Sequence, residues 1–386
     1  MAMYDFDLEI NRYNTNSLKY DIKRGRPDNI FPLWVADMDF KSPDFLIDEL
    51  ISKANHGIFG YSEPLDDYFI ALKGYYKRQY DIDIDTSKIK LTNGVVFSIC
   101  QLIRSITKEN DSIIINEPVY YPFKSSILAN NRKVVINNLV NKNNKYYFDY
   151  LDFEQKIIEN NVKAYILCNP HNPVGRAWDE DELIKIINIC KKHNVFIISD
   201  EIHADFVYNK KFNSILKYLD NNFAVCSALT KTFNIPGLQI AHTYIADENI
   251  MDKFLHELDC VGYSQLSIFG LVASQVLFEK GDEYLYELKK YLWDNILFTK
   301  EFLEKKLPKL KLIIPEATYL LWIDFNEYNI SDKELKNIII NKCNLWLDDG
   351  IIFGLSGKGF QRINIALPRK KLEQALNQLY DGFKDL

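Results

Sequence analysis

The sequence contains no apolar run that approaches the roughly 20 residues a membrane-spanning helix requires. Its first residues lack both the basic segment and the apolar segment of a secretory signal peptide, so we expect none. No two cysteines stand in Cys-x-x-Cys spacing, and Cys190 with His193 has no second pair to complete a metal site. We therefore predict neither a membrane partner nor a bound metal.

Strong basic charge is also missing. The chain carries 47 Lys and Arg residues against 53 Asp and Glu residues, a net charge of -6, and the basic residues never cluster beyond short groups. Nucleic acid and anionic membranes are therefore poor candidates for partners. The 6 cysteines are scattered along 386 residues, which predicts reduced thiols and a cytoplasmic protein.

What the sequence does contain is an alternation of short apolar runs and helical patterns between about residues 89 and 245. This pattern predicts an α/β fold in which a mainly parallel sheet has helices on both faces. A helix is predicted over 180–193, and Asp179 precedes it with Glu182 at the spacing of a capping box. We predict seven strands, at residues 88–92, 112–116, 133–137, 164–168, 195–199, 223–226 and 240–245.

The length of 386 residues favours two domains. A long helical pattern at 283–307 is predicted to join them, and the strand-like and helical segments that follow it indicate a small α+β domain. We therefore predict a large α/β domain over 45–282. The small domain would consist of an N-terminal arm, 1–44, together with 283–386.

Polar residues stand directly after the predicted strands. Asn93-Gly94 follows the first strand, and Asp200 and Lys231 follow later ones. In open α/β sheets, ligands bind at the carboxyl ends of the strands. Segments that are far apart in the sequence are therefore predicted to meet in one cleft.

These residues match the requirements of pyridoxal 5'-phosphate. Its aldehyde needs a lysine, its ring nitrogen a carboxylate, and its ring an aromatic neighbour. Lys231, Asp200 and Tyr120 are the candidates for these three roles. The phosphate needs helix N-terminal amides and hydroxyls, and an amino-acid substrate needs an arginine for its carboxylate. The candidates for these two roles are Gly94, Val95 and Val96 with Thr230, and Arg362.

Each candidate also has an ordinary structural explanation when it is taken alone. Lys231 can be a surface lysine, Asp200 a helix cap, and Asn172 part of a turn before a proline. Tyr120 can be a core aromatic residue, and Arg362 can belong to a surface ion pair. The functional interpretation depends on their shared position at strand ends and on their order along the chain.

That order resembles the fold-type I, aspartate-aminotransferase-like enzymes that use pyridoxal phosphate. Within them the chain resembles the MalY/PatB group of cystathionine β-lyases, also called C-S lyases. The resemblance implies an aspartate-aminotransferase-like fold with a large, mainly parallel seven-stranded sheet domain and a smaller α+β domain. The matching stretches are residues 35–40, 56–62, 118–123, 168–175, 198–203, 231–238 and 362–365.

The resemblance implies a role for each matching position. Lys231 would carry the cofactor as a Schiff base and then serve as the proton-transfer base. Asp200 would pair with the ring nitrogen, and Asn172 would bind the ring hydroxyl oxygen. Tyr120 would stack on the ring, and Arg362 would bind the α-carboxylate of the substrate.

Further implied roles concern the edges of the site. Tyr61 would reach the phosphate and the substrate of a neighbouring subunit, which makes the active unit a homodimer. Asp37 would line the substrate side, as would Asn172. His203 stands where many aminotransferases have a tyrosine against the cofactor, and Gln239 stands where many have an arginine against the phosphate.

The implied reaction is a β-elimination that cleaves cystathionine or related cysteine S-conjugates to a thiol, pyruvate and ammonia. Two other functions stay open. An aminotransferase would use the same Lys231 and Asp200, although His203 and Gln239 favour the lyase. A lyase-like protein with a regulatory protein-binding role would instead keep the fold for contact with another protein.

Overall fold

The computed structural model describes residues 4–218 and 221–386. Its helices are α1 (Asp44–His56), α2 (Asp66–Tyr80), α3 (Val95–Ile106), α4 (Pro122–Ala129), α5 (Tyr150–Glu159), α6 (Glu180–Lys192), α7 (Glu248–Cys260), α8 (Ile268–Lys280), α9 (Asp282–Lys306), α10 (Asp332–Asn337) and α11 (Arg369–Phe383). Its first strands are β1 (Phe31–Pro32), β2 (Ile89–Thr92), β3 (Ser112–Glu117), β4 (Lys133–Asn138), β5 (Val140–Lys142), β6 (Lys145–Tyr147), β7 (Val162–Cys168) and β8 (Phe196–Asp200). The later strands are β9 (Phe223–Ser227), β10 (Ala241–Ile245), β11 (Lys311–Ile313), β12 (Leu320–Asp324), β13 (Leu345–Trp346), β14 (Asp348–Asp349) and β15 (Phe360–Asn364).

A seven-stranded sheet forms the centre of the molecule, in the order β2-β10-β9-β8-β7-β3-β4. β10 pairs antiparallel with both of its neighbours, and the other pairs are parallel. All seven strands predicted from the sequence are confirmed, each to within two residues at either end. Their apolar runs are continuous because helices cover both faces of the sheet.

The alternation of side chains along β3 shows how both faces are filled. Ile113 and Ile115 pack into one hydrophobic cluster with Ile99 of α3, while Ile114 points into the cluster on the opposite face, which includes Leu183 of α6. All five of these side chains are fully buried. The alternation follows from the two-residue period of a strand, and it fixes the register of the sheet against its helices.

Parallel strands bring their carboxyl ends to one edge of the sheet. Cys168, Asp200 and Cys226 lie side by side across β7, β8 and β9. The residues that follow these strands therefore converge above the edge. This edge holds the candidate site.

A second, four-stranded antiparallel sheet has the order β11-β12-β15-β14. The N-terminal segment joins this part of the molecule, because β1 pairs with β13. The long helix predicted at 283–307 is confirmed as α9, Asp282–Lys306. The domain boundaries at 44/45 and 282/283 stay predictions, and residues 1–3 of the predicted arm lie outside the described residues.

The predicted capping box is confirmed at the start of α6, where the backbone N–H of Asp179 donates to the Glu182 carboxylate at 2.9 Å. Asp247 caps α7 in a simpler way, since its carboxylate accepts the backbone N–H of Ile250 at 3.0 Å. Within the described residues, no helix is both long and apolar enough to cross a membrane.

Replacement of the α7 cap provides a test of this local structure. Asp247→Ala leaves an N–H of the first turn without its acceptor, so the free energy of unfolding falls by about 1 kcal/mol. Urea unfolding followed by circular dichroism measures the loss. Asp252→Ala, an exposed change inside the same helix, is the control. An equal loss in both variants would show that the cap contributes nothing.

Candidate active site

A cavity of about 290 Å³ opens at the carboxyl edge of the seven-stranded sheet. It brings together nine of the residues predicted from the sequence: Gly94, Val95, Val96, Tyr120, Asn172, Asp200, His203, Thr230 and Lys231. They come from five separate stretches of the chain, each of which lies at or just after the end of a strand of the sheet. The predicted convergence at strand ends therefore exists in the folded chain.

Asp200 is the last residue of β8, and it lines the cavity. The backbone N–H of Ile202 donates to its carboxylate at 3.1 Å. Burial raises the pKa of Asp200 to about 7, while the bond from Ile202 and the nearby charge of Lys231 lower it. A cation placed against this carboxylate would stabilise its charged form. Asp200 is therefore suited to hold a protonated ring nitrogen.

Lys231 follows β9, and its Nζ donates to the carbonyl oxygen of Ala36 at 2.8 Å. Burial lowers the pKa of Lys231 to about 8, and Arg362 lowers it further by repulsion, against the opposite influence of Asp37 and Asp200. An amine that loses its proton in this range can act as a nucleophile or as a base.

The N-terminus of α3 forms one wall of the cavity. Gly94 precedes the helix with a φ of 154°, a conformation that L side chains rarely adopt. The first turn has no acidic residue and no side-chain cap, so its N–H groups stay available to an anion. Thr230 and Gln239 border the same space. This wall is suited to hold a phosphate.

Tyr120 and Asn172 also line the cavity. The backbone N–H of Tyr120 donates to the Asn172 carbonyl at 3.0 Å, which joins the segment after β3 to the segment after β7. The amide oxygen of Asn172 accepts a hydrogen bond from Arg362 at 3.1 Å. Asn172 thus connects the cavity wall to the predicted substrate arginine.

Arg362 is the middle residue of β15, and it reaches the site from the four-stranded sheet. Its guanidinium donates to the Trp34 carbonyl at 2.8 Å and forms an ion pair with Asp348. The Nε atom is buried and has no hydrogen-bond partner among the described residues. Arg362 does not line the cavity itself, but its unused N–H groups beside Asn172 suit a carboxylate.

His203 presents a neutral imidazole to the cavity. Burial lowers the pKa of His203 to about 3, and the charges of Lys231 and Arg362 act in the same direction. Its Nδ1 atom is buried without a partner among the residues that the structure describes. A buried nitrogen of this kind usually has a hydrogen-bond partner, so a polar group of a bound molecule is expected next to it.

The residues present fit pyridoxal phosphate on the chemistry of their donor and acceptor groups. Lys231 supplies the amine, Asp200 a carboxylate with no basic side chain bonded to it in the described part of the chain, and α3 an uncapped N-terminus. The unpartnered nitrogen of His203 adds a site for one more polar contact.

Comparison with known proteins identifies the family of this chain. Residues 29–379 match the model of the family "Aminotransferase class I and II". The chain belongs to this family. The aspartate-aminotransferase-like fold predicted from the resemblance is confirmed.

Individual relatives are similar over nearly their whole length. Cystathionine beta-lyase PatB of Bacillus subtilis (strain 168) is 34% identical over 97% of this chain and 98% of its own. A pyridoxal-phosphate-bound protein of Clostridium difficile 630, provisionally assigned as an aminotransferase, is 40% identical, with a TM-score of 0.95 over 98% of this chain and 99% of that one. The pyridoxal-phosphate-bound C-S lyase of Staphylococcus hominis is 30% identical, with a TM-score of 0.93 over 98% of both chains. The predicted resemblance to the PatB group is therefore confirmed.

Two further predicted site residues, Tyr61 and Asp37, do not line the cavity. Tyr61 is 91% exposed, and it stands in a segment without helix or strand. The carboxylate of Asp37 is directed to the N-terminal segment, where it contacts Arg12 at 2.6 Å and Lys19 at 3.6 Å. The predicted roles of Tyr61 and Asp37 stay predictions.

Several residues of the site gave no sequence signal. The backbone carbonyl of Ala36 contacts Lys231 directly, Asp348 pairs with Arg362, and Arg12 pairs with Asp37. The matching stretch at 35–40 pointed to this region, but a main-chain acceptor has no side-chain pattern. The partners of these two ion pairs stand 14 and 25 residues apart, and no sequence motif relates them.

The lowered pKa of Lys231 can be measured in the apoprotein. Pulses of acetic anhydride at increasing pH, read by mass spectrometry, should acylate Lys231 with a midpoint near the pKa of about 8. Below that pH the amine is protonated and unreactive. Lys77 is the internal control, because hydrogen bonds to Asp81 and Asp83 raise its pKa above the ordinary value. If Lys231 and Lys77 were acylated with the same midpoint, the lowered pKa assigned to the buried Lys231 would be wrong.

Proposed function

We propose that the protein is a pyridoxal-phosphate-dependent C-S lyase. It cleaves cystathionine or related cysteine S-conjugates to a thiol, pyruvate and ammonia. The observation that carries the proposal is the cavity in which Lys231 and Asp200, both with displaced pKa values, lie beside the uncapped N-terminus of α3. Similarity to proteins described as cystathionine beta-lyase and C-S lyase supports the choice of reaction.

When bound, pyridoxal phosphate supplies a ring that accepts the electron pair released at the α-carbon of the substrate. Asp200 holds the positive charge of the ring nitrogen, which requires the carboxylate form of Asp200. The N–H groups at the start of α3 and the Thr230 hydroxyl hold the phosphate. Because Gln239 carries no charge, the helix N-terminus provides most of the electrostatic stabilisation there.

Arg362 binds the α-carboxylate of the substrate and thereby orients the α-hydrogen. Asp348, Trp34 and Asn172 fix the guanidinium plane, so that the bound carboxylate has one orientation. The free Lys231 amine removes the α-proton, and the bond between the β-carbon and sulfur breaks with its electron pair on sulfur. With one water consumed, cystathionine yields homocysteine, pyruvate and ammonia.

An aminotransferase is the second candidate, favoured by the description of the Clostridium difficile relative. It shares the removal of the α-proton by Lys231 and the support of Asp200. The two reactions differ in their products, because amino transfer consumes a 2-oxo acid and releases no thiol. Product analysis therefore separates the two functions.

The lyase proposal predicts pyruvate and homocysteine in equal amounts from cystathionine. Lys231→Ala removes the base and should lower kcat by about three orders of magnitude or more. Pyruvate is followed with lactate dehydrogenase, and the thiol with a chromogenic disulfide. Lys77→Ala, an exposed lysine, is the control and should keep full activity. Amino transfer to a 2-oxo acid without thiol release would replace the lyase with the aminotransferase.

We further propose that the active unit is a homodimer in which Tyr61 reaches the neighbouring site. Ile58, Phe59, Tyr61 and Leu65 expose 68%, 59%, 91% and 76% of their surfaces within a few residues of one another. An exposed apolar stretch of this length typically marks a contact surface. Ile58, Phe59 and Tyr61 belong to the matching stretch 56–62, on which the resemblance places the neighbour's phosphate contact.

Subunit mixing tests the role of Tyr61. Lys231→Ala and Tyr61→Ala dimers should each be weakly active, because each damages every site. After denaturation and joint refolding in equal amounts, hybrid dimers should contain one intact site, and activity should rise to about a quarter of wild type. Each variant refolded alone is the control. The absence of rescue would place Tyr61 in its own subunit's site or outside any site.

A reducing, cytoplasmic location remains part of the proposal. All six cysteines are free thiols in the structure, and four of them are buried. Free thiols in this number suit a compartment that keeps cysteine reduced.

A further inference from the structure

The carbonyl oxygen of Ala36 is the resting acceptor of the Lys231 amine. It accepts Lys231 Nζ at 2.8 Å and the hydroxyl of Tyr319 at 3.1 Å. A carbonyl oxygen has two lone pairs, so both bonds can exist together. The direction of this one carbonyl therefore determines where the free amine is held.

Asn364 fixes the peptide groups on either side of Ala36. Its Nδ2 donates to the carbonyl of Val35 at 2.6 Å and to the carbonyl of Asp37 at 2.6 Å. Its Oδ1 accepts the backbone N–H of Ala366 at 2.8 Å, which prevents rotation of the side-chain amide. With the carbonyls before and after it held, the Ala36 carbonyl has little freedom to turn away from the amine.

We propose that Asn364 is a positioning residue that aims the Ala36 carbonyl at the Lys231 amine. The proposal rests on the proposed function, in which Lys231 must act as a free amine once substrate has displaced it. An amine held in one place can remove a proton in a defined direction. Asn364 itself touches neither the cavity nor the substrate.

Contacts on the far side of Ala36 hold the same segment. Arg12 donates to the carbonyl of Met38 at 3.1 Å and pairs with Asp37 and Asp39 at 2.6 Å each. The side chain of Asn234 pairs with both the N–H and the carbonyl of Met38 at 2.8 Å. Asn234 stands three residues after Lys231, so the lysine loop and the Ala36 segment are bonded directly to each other.

The hydrogen bond from Lys231 has a measurable electrostatic consequence. A protonated amine donates a stronger bond to a carbonyl than a neutral amine does, so the bond favours the charged form. Loss of the aimed carbonyl should therefore lower the pKa of Lys231 further. Asp37, Arg362 and Asp200 are the charged groups that also act on this amine, and Asn364 variants change none of them.

The chain offers a matched control at Asn295. This side chain is also fully buried, and its Nδ2 donates to the carbonyls of Ile365 and Leu367 at 3.0 Å each. Its Oδ1 accepts from Arg369 at 2.7 Å. Like Asn364, Asn295 thus holds two backbone carbonyls with its Nδ2 atom, here on either side of Ala366, which does not contact Lys231.

The experiment compares apoproteins of wild type, Asn364→Ala, Asn364→Ser and Asn295→Ala. The acylation midpoint of Lys231 is measured by mass spectrometry, and the Tm of each variant is recorded. Asn364→Ala should lower the midpoint by about 0.5 to 1 pH unit, the equivalent of one hydrogen bond. Asn295→Ala should lower the Tm comparably and leave the midpoint unchanged.

Two results would overturn the proposal: an unchanged midpoint in Asn364→Ala, or an equal shift in Asn295→Ala. If Asn364→Ala does not fold, Asn364→Ser decides, because its hydroxyl keeps one donor. It should give a smaller shift in the same direction, and no shift would count against the role of Asn364.

The same proteins separate this proposal from the proposed function. Wild type is loaded with pyridoxal phosphate and reduced with borohydride, and the modified lysine is found by mass spectrometry. Label on a lysine other than Lys231 would end the proposed function, whereas the apoprotein midpoints test the role of Asn364 without any cofactor.

Discussion

The site depends on a lysine amine and a carboxylate that are both buried at one edge of a parallel sheet. Burial disfavours the charged form of each, which lowers the pKa of Lys231 to about 8 and raises that of Asp200 to about 7. Neither side chain forms an ion pair within 4 Å with a described residue. Each is therefore available to a bound molecule. The two side chains are carried by different strands, since Asp200 ends β8 and Lys231 lies in the loop after β9.

The charged and polar groups around the cavity also favour particular groups of a bound molecule. One wall offers the N-terminus of α3 without an acidic residue or a cap, which favours an anion. Arg362 offers a second anion site, partly neutralised by Asp348. Asp200 lines the same cavity and supplies a negative group. A molecule with a phosphate, a cationic ring and a carboxylate-bearing partner matches these two anion-binding groups and this carboxylate.

Much of this arrangement could be predicted from the sequence, and there is a physical reason why the rest could not. The strands were predictable because burial on both faces requires unbroken apolar runs, as in Ile113–Ile115. Asp200 was predictable because it follows such a run directly, and Lys231 because it stands in the loop just past another run. The roles of Asn364 and Arg12 were not predictable, since these side chains bind backbone carbonyls and acids that are distant in the sequence. The direction of Asp37 toward the N-terminal segment was not predictable for the same reason. Such contacts exist only after the two sheets have packed together.

The segment at residues 33–39 is where the two sheets meet, and this links binding to chemistry. The backbone of Asn364 in the four-stranded sheet donates to the Leu33 carbonyl at 2.9 Å, and that of Asp39 donates to the Ala366 carbonyl at 2.9 Å. Between these bonds the segment accepts the amine of Lys231. Arg362 binds the Trp34 carbonyl in the same segment. A shift of the four-stranded sheet therefore moves Arg362 and the acceptor of the Lys231 amine together. In the proposed function, substrate orientation and base orientation would then be set by one piece of backbone.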